Sequence, residues 1–340
     1  MTKIIGIGNA LTDILVHLPD ERLLHELHLE KGGMFHVGER EMLALHAAIA
    51  PYHPVRATGG SAANTIHALS AIGNPVGFVG SIGNDERGQF FARRQQERHI
   101  DTRLHVCKDR ISGVATTLIT PDGERTFATH LGAAPNICVE DLKTMFDESC
   151  QNSSDNHPSY VLHVEGYLVQ NHAFVEQVMR LAKQAGVPVS YDLASWNIVQ
   201  NDHEFVQHLV QEYVDIAFAN EEEATAFSQT DDPMCSLDLL STMTQTAVVK
   251  LGKHGACAKT GNQSFTTPGL KEKPVDTTAA GDFFAAGFLH GWIHGEAPDT
   301  CLDYGNRLAN EVIQVLGTQV SDERLQQALH ESHLCIYNNI

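Results

Sequence analysis

With 340 residues, 42% hydrophobic and 19% charged, the chain can bury a large core unaided, which excludes a staple-dependent miniprotein and a disordered polymer. Its net charge of −19, from 23 Lys and Arg against 42 Asp and Glu, repels polyanions, so no nucleic-acid partner is expected. The seven cysteines are scattered without a CxxC pair, and no run reaches the ~18 apolar residues of a membrane span. A reducing cytoplasm, no membrane partner and no targeting segment are the expectation.

In chain order, short apolar runs alternate with longer amphipathic stretches, the pattern of an α/β fold whose mostly parallel sheet is covered by helices on both faces. The first strand is expected over 4–8. Its continuation, Gly6-Ile7-Gly8-Asn9-Ala10-Leu11, lacks the third glycine of a dinucleotide fingerprint, so a nicotinamide oxidoreductase finds weak support. Residues 14–58 break the rhythm. Within them His25-Glu26-Leu27-His28 is one residue short of the zinc-peptidase spacing and reads as helix surface. Gly59 and Gly60 then open a helix over 62–72, with Ser61 outside any GxSxG elbow, and a strand follows over 76–80.

The rhythm breaks again over 101–130, where 113–119, the turn Pro121-Asp122-Gly123 and Arg125-Thr126-Phe127 read as a β-hairpin. The two insertions are expected to pair into a small β lid, leaving a nucleotide-binding core of residues 1–13, 59–100 and 131–340 with lid insertions 14–58 and 101–130. The polar stretch 151–158 reads as a surface loop. Further strands are expected over 160–164, 188–192, 216–219 and 246–251, and helices over 172–185 and 278–294.

The chemistry concentrates in Asp276-Thr277-Thr278-Ala279-Ala280-Gly281-Asp282. Small residues at 279–281 admit close approach of a ligand, and the following helix aims its unpaired N–H groups and positive end at the same place, which makes an anion site. Asp282, in the first turn, is either a dipole partner or a general base. Beside an anion loop, the second reading supplies both halves of phosphoryl transfer.

Asp276 to Gly287 resembles the C-terminal signature of the ribokinase (PfkB) carbohydrate kinase family, and Gly59-Gly60-Ser61-Ala62-Ala63-Asn64, with Gly73 and Gly83, resembles the N-terminal one. Asn220-Glu221-Glu222-Glu223 is similar to the family's metal-associated Asn-x-x-Glu, and Lys250-Leu251-Gly252-Lys253-His254-Gly255 to its nucleotide loop. The four motifs stand in the family's order over nearly the whole chain. Gly8-Asn9-Ala10-Leu11-Thr12-Asp13, together with 213–221, resembles the adenosine kinases in particular.

The resemblance implies a ribokinase-like three-layer sandwich and transfer of the ATP γ-phosphoryl group to a primary hydroxyl of a nucleoside (adenosine-like) or small sugar. It makes Asp282 the proton acceptor and the N–H groups of Ala279, Ala280, Gly281 and Asp282 the stabilisers of the transferring charge; the family more often has glycine at 279. Asn9, Asp13, Gly59, Gly60 and Asn64 suit a ribose-like diol, while Arg125 resembles a lid arginine of adenosine kinases. Leu131, Tyr167 and Trp196 are either a wall for a nucleobase or plain core. Glu165 stands where ribokinase-like enzymes, unlike adenosine kinases, place a sugar-binding glutamate, which pulls toward a free sugar.

The resemblance also sets Asn220 at ATP, with Lys250, Gly252, Gly255 and Asn306 near its adenine and ribose, and has Glu223 hold Mg²⁺ through water. Asp276, Thr278, Val312, Val315, Gly317 and Ser321 match the oxygens that surround K⁺ in potassium-activated members. A kinase of free ribose, fructose or a keto-deoxy sugar acid is the alternative, as is a non-catalytic sugar or nucleotide sensor, which has no need of Asp282. Both a monomer and a homodimer paired through open lid-sheet edges fit the sequence.

Overall fold

A computed structural model describes residues 2–150, 159–269, 272 and 274–330, so the loop expected at 151–158 lies outside the described residues. The strands among them are, in chain order, β1 (Lys3–Ile7), β2 (Leu11–His17), β3 (Met34–His36), β4 (Val55–Gly59), β5 (Val76–Gly83), β6 (Asp101–Cys107), β7 (Gly113–Ile119), β8 (Arg125–His130), β9 (Tyr160–Glu165), β10 (Val189–Asp192), β11 (Ile216–Asn220), β12 (Thr246–Lys250), β13 (Ala256–Thr260) and β14 (Gln263–Thr267). Nine of them form one sheet in the order β14-β13-β12-β11-β10-β9-β1-β5-β6, parallel except at the β12-β13-β14 edge.

Apolar side chains alternate between the two faces of this sheet because successive Cβ atoms of a strand point in opposite directions. Ile4, Val161, Phe218 and Val248 join one buried cluster with the helices Ser61–Ala71, Ala280–Ile293 and Pro298–Val312. Ile5, Ile7, Leu162, Val164 and Val249 join the other, with His172–Gln184, His203–Tyr213 and Pro233–Met243. Strands buried on both sides read as continuous apolar runs, and the architecture is the expected ribokinase-like three-layer sandwich. Among the described residues no helix is long and apolar enough to cross a membrane.

The remaining five strands make a second sheet, β3-β8-β7-β2-β4, packed on helix Glu39–Ile49 around Val16, Leu24, Leu45, Ile49 and Leu118. The β7-β8 hairpin turns at Gly123 (φ +86°), where a positive φ suits glycine. Two boundaries differ from the sequence expectation. Asp101–Cys107, expected in the lid, pairs in parallel with β5 as the edge of the large sheet, and its half-exposed side chains give no apolar run to mark it as core. Residues 11–13, expected in the core, already belong to β2 of the small sheet, which three residues, Gly8, Asn9 and Ala10, separate from β1.

Candidate active site

In open α/β sheets ligands sit beyond the carboxyl ends of the parallel strands. Here Asn9 follows β1, while Glu165, Asp192, Asn220 and Lys250 are the last residues of β9, β10, β11 and β12. Register brings Asp192 beside Glu165 and Asn220 beside Lys250. All five line a cleft of about 780 Å³ roofed by Ala115, Thr117, Phe127 and Thr129 of the small sheet.

The cleft floor carries the loop before helix Ala280–Ile293. Ala279 takes the left-handed conformation (φ +61°, ψ 7°) that glycine adopts without strain; alanine does so at a cost of roughly 1 kcal/mol. Ala280 N donates to Thr277 O at 3.3 Å, whereas the N–H groups of Ala279, Gly281 and Asp282 have no hydrogen-bond partner among the described residues. Ser61 Oγ donates to Asp282 Oδ1 at 2.7 Å and Asn64 Nδ2 to Oδ2 at 2.9 Å, so the carboxylate is fixed at the helix start. Burial outweighs these two bonds and raises Asp282 from 3.8 to about 6. Ser61, set aside in the sequence as no hydrolase nucleophile, is thus a holder of this carboxylate; its adjacency to the Gly59-Gly60 turn was the available signal.

Asp13 projects into the cleft from β2 and accepts no hydrogen bond from the described residues. Burial, then the charges of Asp282 and Asp276, raise it to about 7. Gly59 makes its room, since a Cβ there would lie 1.9 Å from Asp13 Oδ1, and Gly60 (φ +100°) passes under the Asn9 carbonyl. Buried Asn64 Oδ1 also lacks a partner among the described residues. Leu131, Tyr167, Phe127 and Ile198 supply apolar surface beside these polar atoms. Trp196 does not line this cleft: it is 49% exposed and faces a neighbouring surface groove, because the short helix Trp196–Asn201 buries Val199 instead.

Glu165 is hydrogen-bonded to the protein's own N–H groups. Its Oε1 accepts from Asn9 N (2.8 Å) and Asn9 Nδ2 (2.5 Å), and its Oε2 from Ala62 N (3.0 Å). At 1% exposure it clamps the end of β1 to the start of helix Ser61–Ala71 while still lining the cleft, its Oε2 accepting a single hydrogen bond among the described residues.

At the other end of the cleft lie Gly252, Gly255, Asn306, Ala309 and Asn310. Asn306 Nδ2 donates to Pro268 O at 3.1 Å, fixing the side of this end. Asn220 caps helix Glu221–Ser228: Glu223 N donates to Asn220 Oδ1 and Asn220 N to Glu223 Oε2, each at 2.8 Å, a reciprocal capping box. Lys250 lies away from Gly252 and Gly255, turned toward the anion loop, where its Nζ donates to Asp192 Oδ2 at 2.8 Å. Asp192 went unnoticed in the sequence, although its place at the end of an expected parallel strand marked it.

Compared with known proteins, the pfkB family carbohydrate kinase profile matches residues 46–325. The chain belongs to this family. It is 25% identical over 350 residues to the adenosine kinase of Dictyostelium discoideum, covering 95% of this chain and 98% of that one. It is 28% identical over 249 residues to the ATP-dependent ribose-1-phosphate kinase of Halopiger xanaduensis, covering 73% and 77%. Among solved structures, the adenosine kinase from Sinorhizobium meliloti matches with a TM-score of 0.84 at 28% identity, over 97% of this chain and 98% of that one. A probable sugar kinase from Rhizobium etli CFN 42 gives 0.85 at 26%, with the same coverage. As a pfkB-family protein the chain is a carbohydrate or nucleoside kinase with ATP as co-substrate and an accompanying divalent metal.

The donor set fits a hard divalent ion: Glu223 lines the cleft with carboxylate oxygens whose remaining lone pairs are free for water, and burial raises its pKa. Of the set expected for K⁺, Asp276 is already met by protein donors and a protein cation. Asp276, 1% exposed, takes hydrogen bonds from Thr278 N (2.6 Å) and Gly317 N (2.8 Å), and its charge is matched by Arg125 Nη1 at 2.8 Å, which also reaches Thr278 Oγ1 at 3.1 Å. Val315 N donates to Val312 O and Ser321 Oγ accepts from Arg324 N, so these residues close turns. Arg125 accordingly sits under the anion loop, outside the residues that line the cleft.

Proposed function

We propose that this kinase transfers the γ-phosphoryl group of ATP to a primary hydroxyl of a neutral, adenosine-like nucleoside in the cytoplasm. The observation that carries the acceptor class is the pair Asp13 and Asn64 Oδ1, which have no hydrogen-bond partner among the described residues and can receive a vicinal diol. Leu131, Tyr167 and Phe127 line the same cleft with the apolar surface a base needs. The full-length similarity to adenosine kinases supports the same reading.

In this reading ionised Asp282, held by Ser61 and Asn64, takes the proton of the attacking hydroxyl. The free N–H groups of Ala279, Gly281 and Asp282 stabilise the charge on the transferring group. The divalent ion neutralises phosphate charge when bound, and Glu223 is the residue that would hold it through water. ADP release measured over adenosine, other nucleosides, ribose, ribose 1-phosphate, fructose and a keto-deoxy sugar acid tests this. Adenosine is expected to give the highest kcat/KM. A free sugar better by tenfold overturns the acceptor, and ligand binding without turnover of any candidate favours the sensor.

A further inference from the structure

Lys250 ends β12 at the floor of the cleft with its side chain 13% exposed. Asp192 Oδ2 is its one hydrogen-bond partner among the described residues, so two of the ammonium's three N–H groups are left over. A Cβ at Gly281 would lie 3.0 Å from Nζ, which puts the ammonium against the loop that presents the free N–H groups of Ala279, Gly281 and Asp282. Donors from a strand end and from a helix start therefore converge on one space. The lysine is held charged there: burial opposes its charge, but Asp192, Glu223 and Asp282 outweigh burial and raise its pKa above the ordinary value.

From this convergence we propose that Lys250 is a catalytic residue that donates to a non-bridging oxygen of the phosphoryl group in transit, and that Asp192 is the positioning residue that keeps the ammonium at that point. The proposal rests on the kinase reading above. In the step, the acceptor oxygen bonds to phosphorus as the bond to the ADP oxygen breaks; ADP keeps that electron pair, Asp282 takes the hydroxyl proton, and Lys250 stays protonated throughout. Its place beside Gly281, the residue before the base, sets it along the path of the moving group and away from the Gly252-Gly255 end of the cleft. An interaction strongest midway lowers the barrier without tightening ATP binding.

K250M tests the contact, and the K250M/D192N double variant tests it again without leaving an unpaired buried carboxylate. Thermal melts check folding, calorimetry gives the ATP Kd, and ADP release gives kcat with the acceptor the native chain turns over best. Both variants are expected to lose about 10²–10³-fold in kcat, the usual effect of removing one transition-state donor, with ATP affinity within about fivefold of native. D192N alone is expected to lower kcat by a smaller factor at unchanged ATP Kd. Turnover within threefold of native in both Lys250 variants overturns the proposal, and so does an ATP affinity that falls as far as kcat. A native chain that phosphorylates no acceptor overturns the kinase reading itself, whereas an active native chain with an active K250M overturns this inference alone.

Discussion

Replacing Asp282 by asparagine is expected to make the protein slower and more stable at once. The carboxyl is raised from 3.8 to about 6, so keeping it ionised at neutral pH costs the folded state about 3 kcal/mol at 1.36 kcal/mol per pH unit, an upper bound once relaxation is allowed. Because the folded state binds the proton more tightly, stability declines as pH rises from about 4 to about 6, and the full deficit is present above that window. Asparagine keeps the shape: its oxygen accepts from Asn64 Nδ2 and its amide donates to Ser61 Oγ, reversing one bond without orphaning either partner. The variant should therefore gain about 1–3 kcal/mol at pH 8 and almost nothing near pH 4, while losing roughly 10²–10⁴ in kcat with the general base. Melts at both pH values, paired with ADP-release kinetics, measure the two effects. Near-native turnover, or a gain independent of pH, would refute the assignment; the native kcat should itself fall about tenfold per pH unit below 6.

Asp13→Ala should weaken acceptor binding by 10²-fold or more, since charge-assisted hydrogen bonds to a diol are worth about 1.5–3 kcal/mol each, and leave ATP binding unchanged by calorimetry; in the native protein acceptor affinity should drop as pH falls through about 7. Arg125→Ala strands the buried Asp276 carboxylate and is expected to cost about 3–5 kcal/mol; turnover restored by added K⁺ would show that the guanidinium stands in for a monovalent cation, and the absence of rescue counts against that view. Glu165→Gln sets an amide NH₂ against an N–H of Asn9 or Ala62, so a loss of about 1–3 kcal/mol and a lower kcat/KM for the acceptor at constant ATP affinity are expected from melts and kinetics.

The fold was legible where strands are buried on both faces, as at β1, β9, β11 and β12, because their side chains must be apolar on every side. It was not legible at β6, an edge whose DTRLHVC mixes charge and apolar residues, nor at the β13-β14 hairpin, which covers only the border of the sheet. The anion loop and Asp282 were readable since small residues, an acid and a helix start are local facts. The direction of a long side chain is not: Lys250 follows its buried counter-charge Asp192 across two strands, and Glu165 accepts from N–H groups more than 100 residues away. Pairings set by tertiary proximity leave no trace in spacing.

In the proposed reading, the carboxylate that receives the diol and the one that takes the proton stand on different parts of the fold. Asp13 rides on β2, which three residues join to β1, while Asp282 is anchored in a helix buried in the large sheet's own layer. In that reading selectivity and reactivity are separable in part, since Asn64 alone offers Oδ1 to the diol and Nδ2 to Asp282. Exchanging the five-stranded sheet for one with a different inner face would change the part of the acceptor surface that Asp13 and Phe127 supply while Asp282 and its anion loop stay in place, so acceptor range can drift or be engineered without retracing the evolution of phosphoryl transfer.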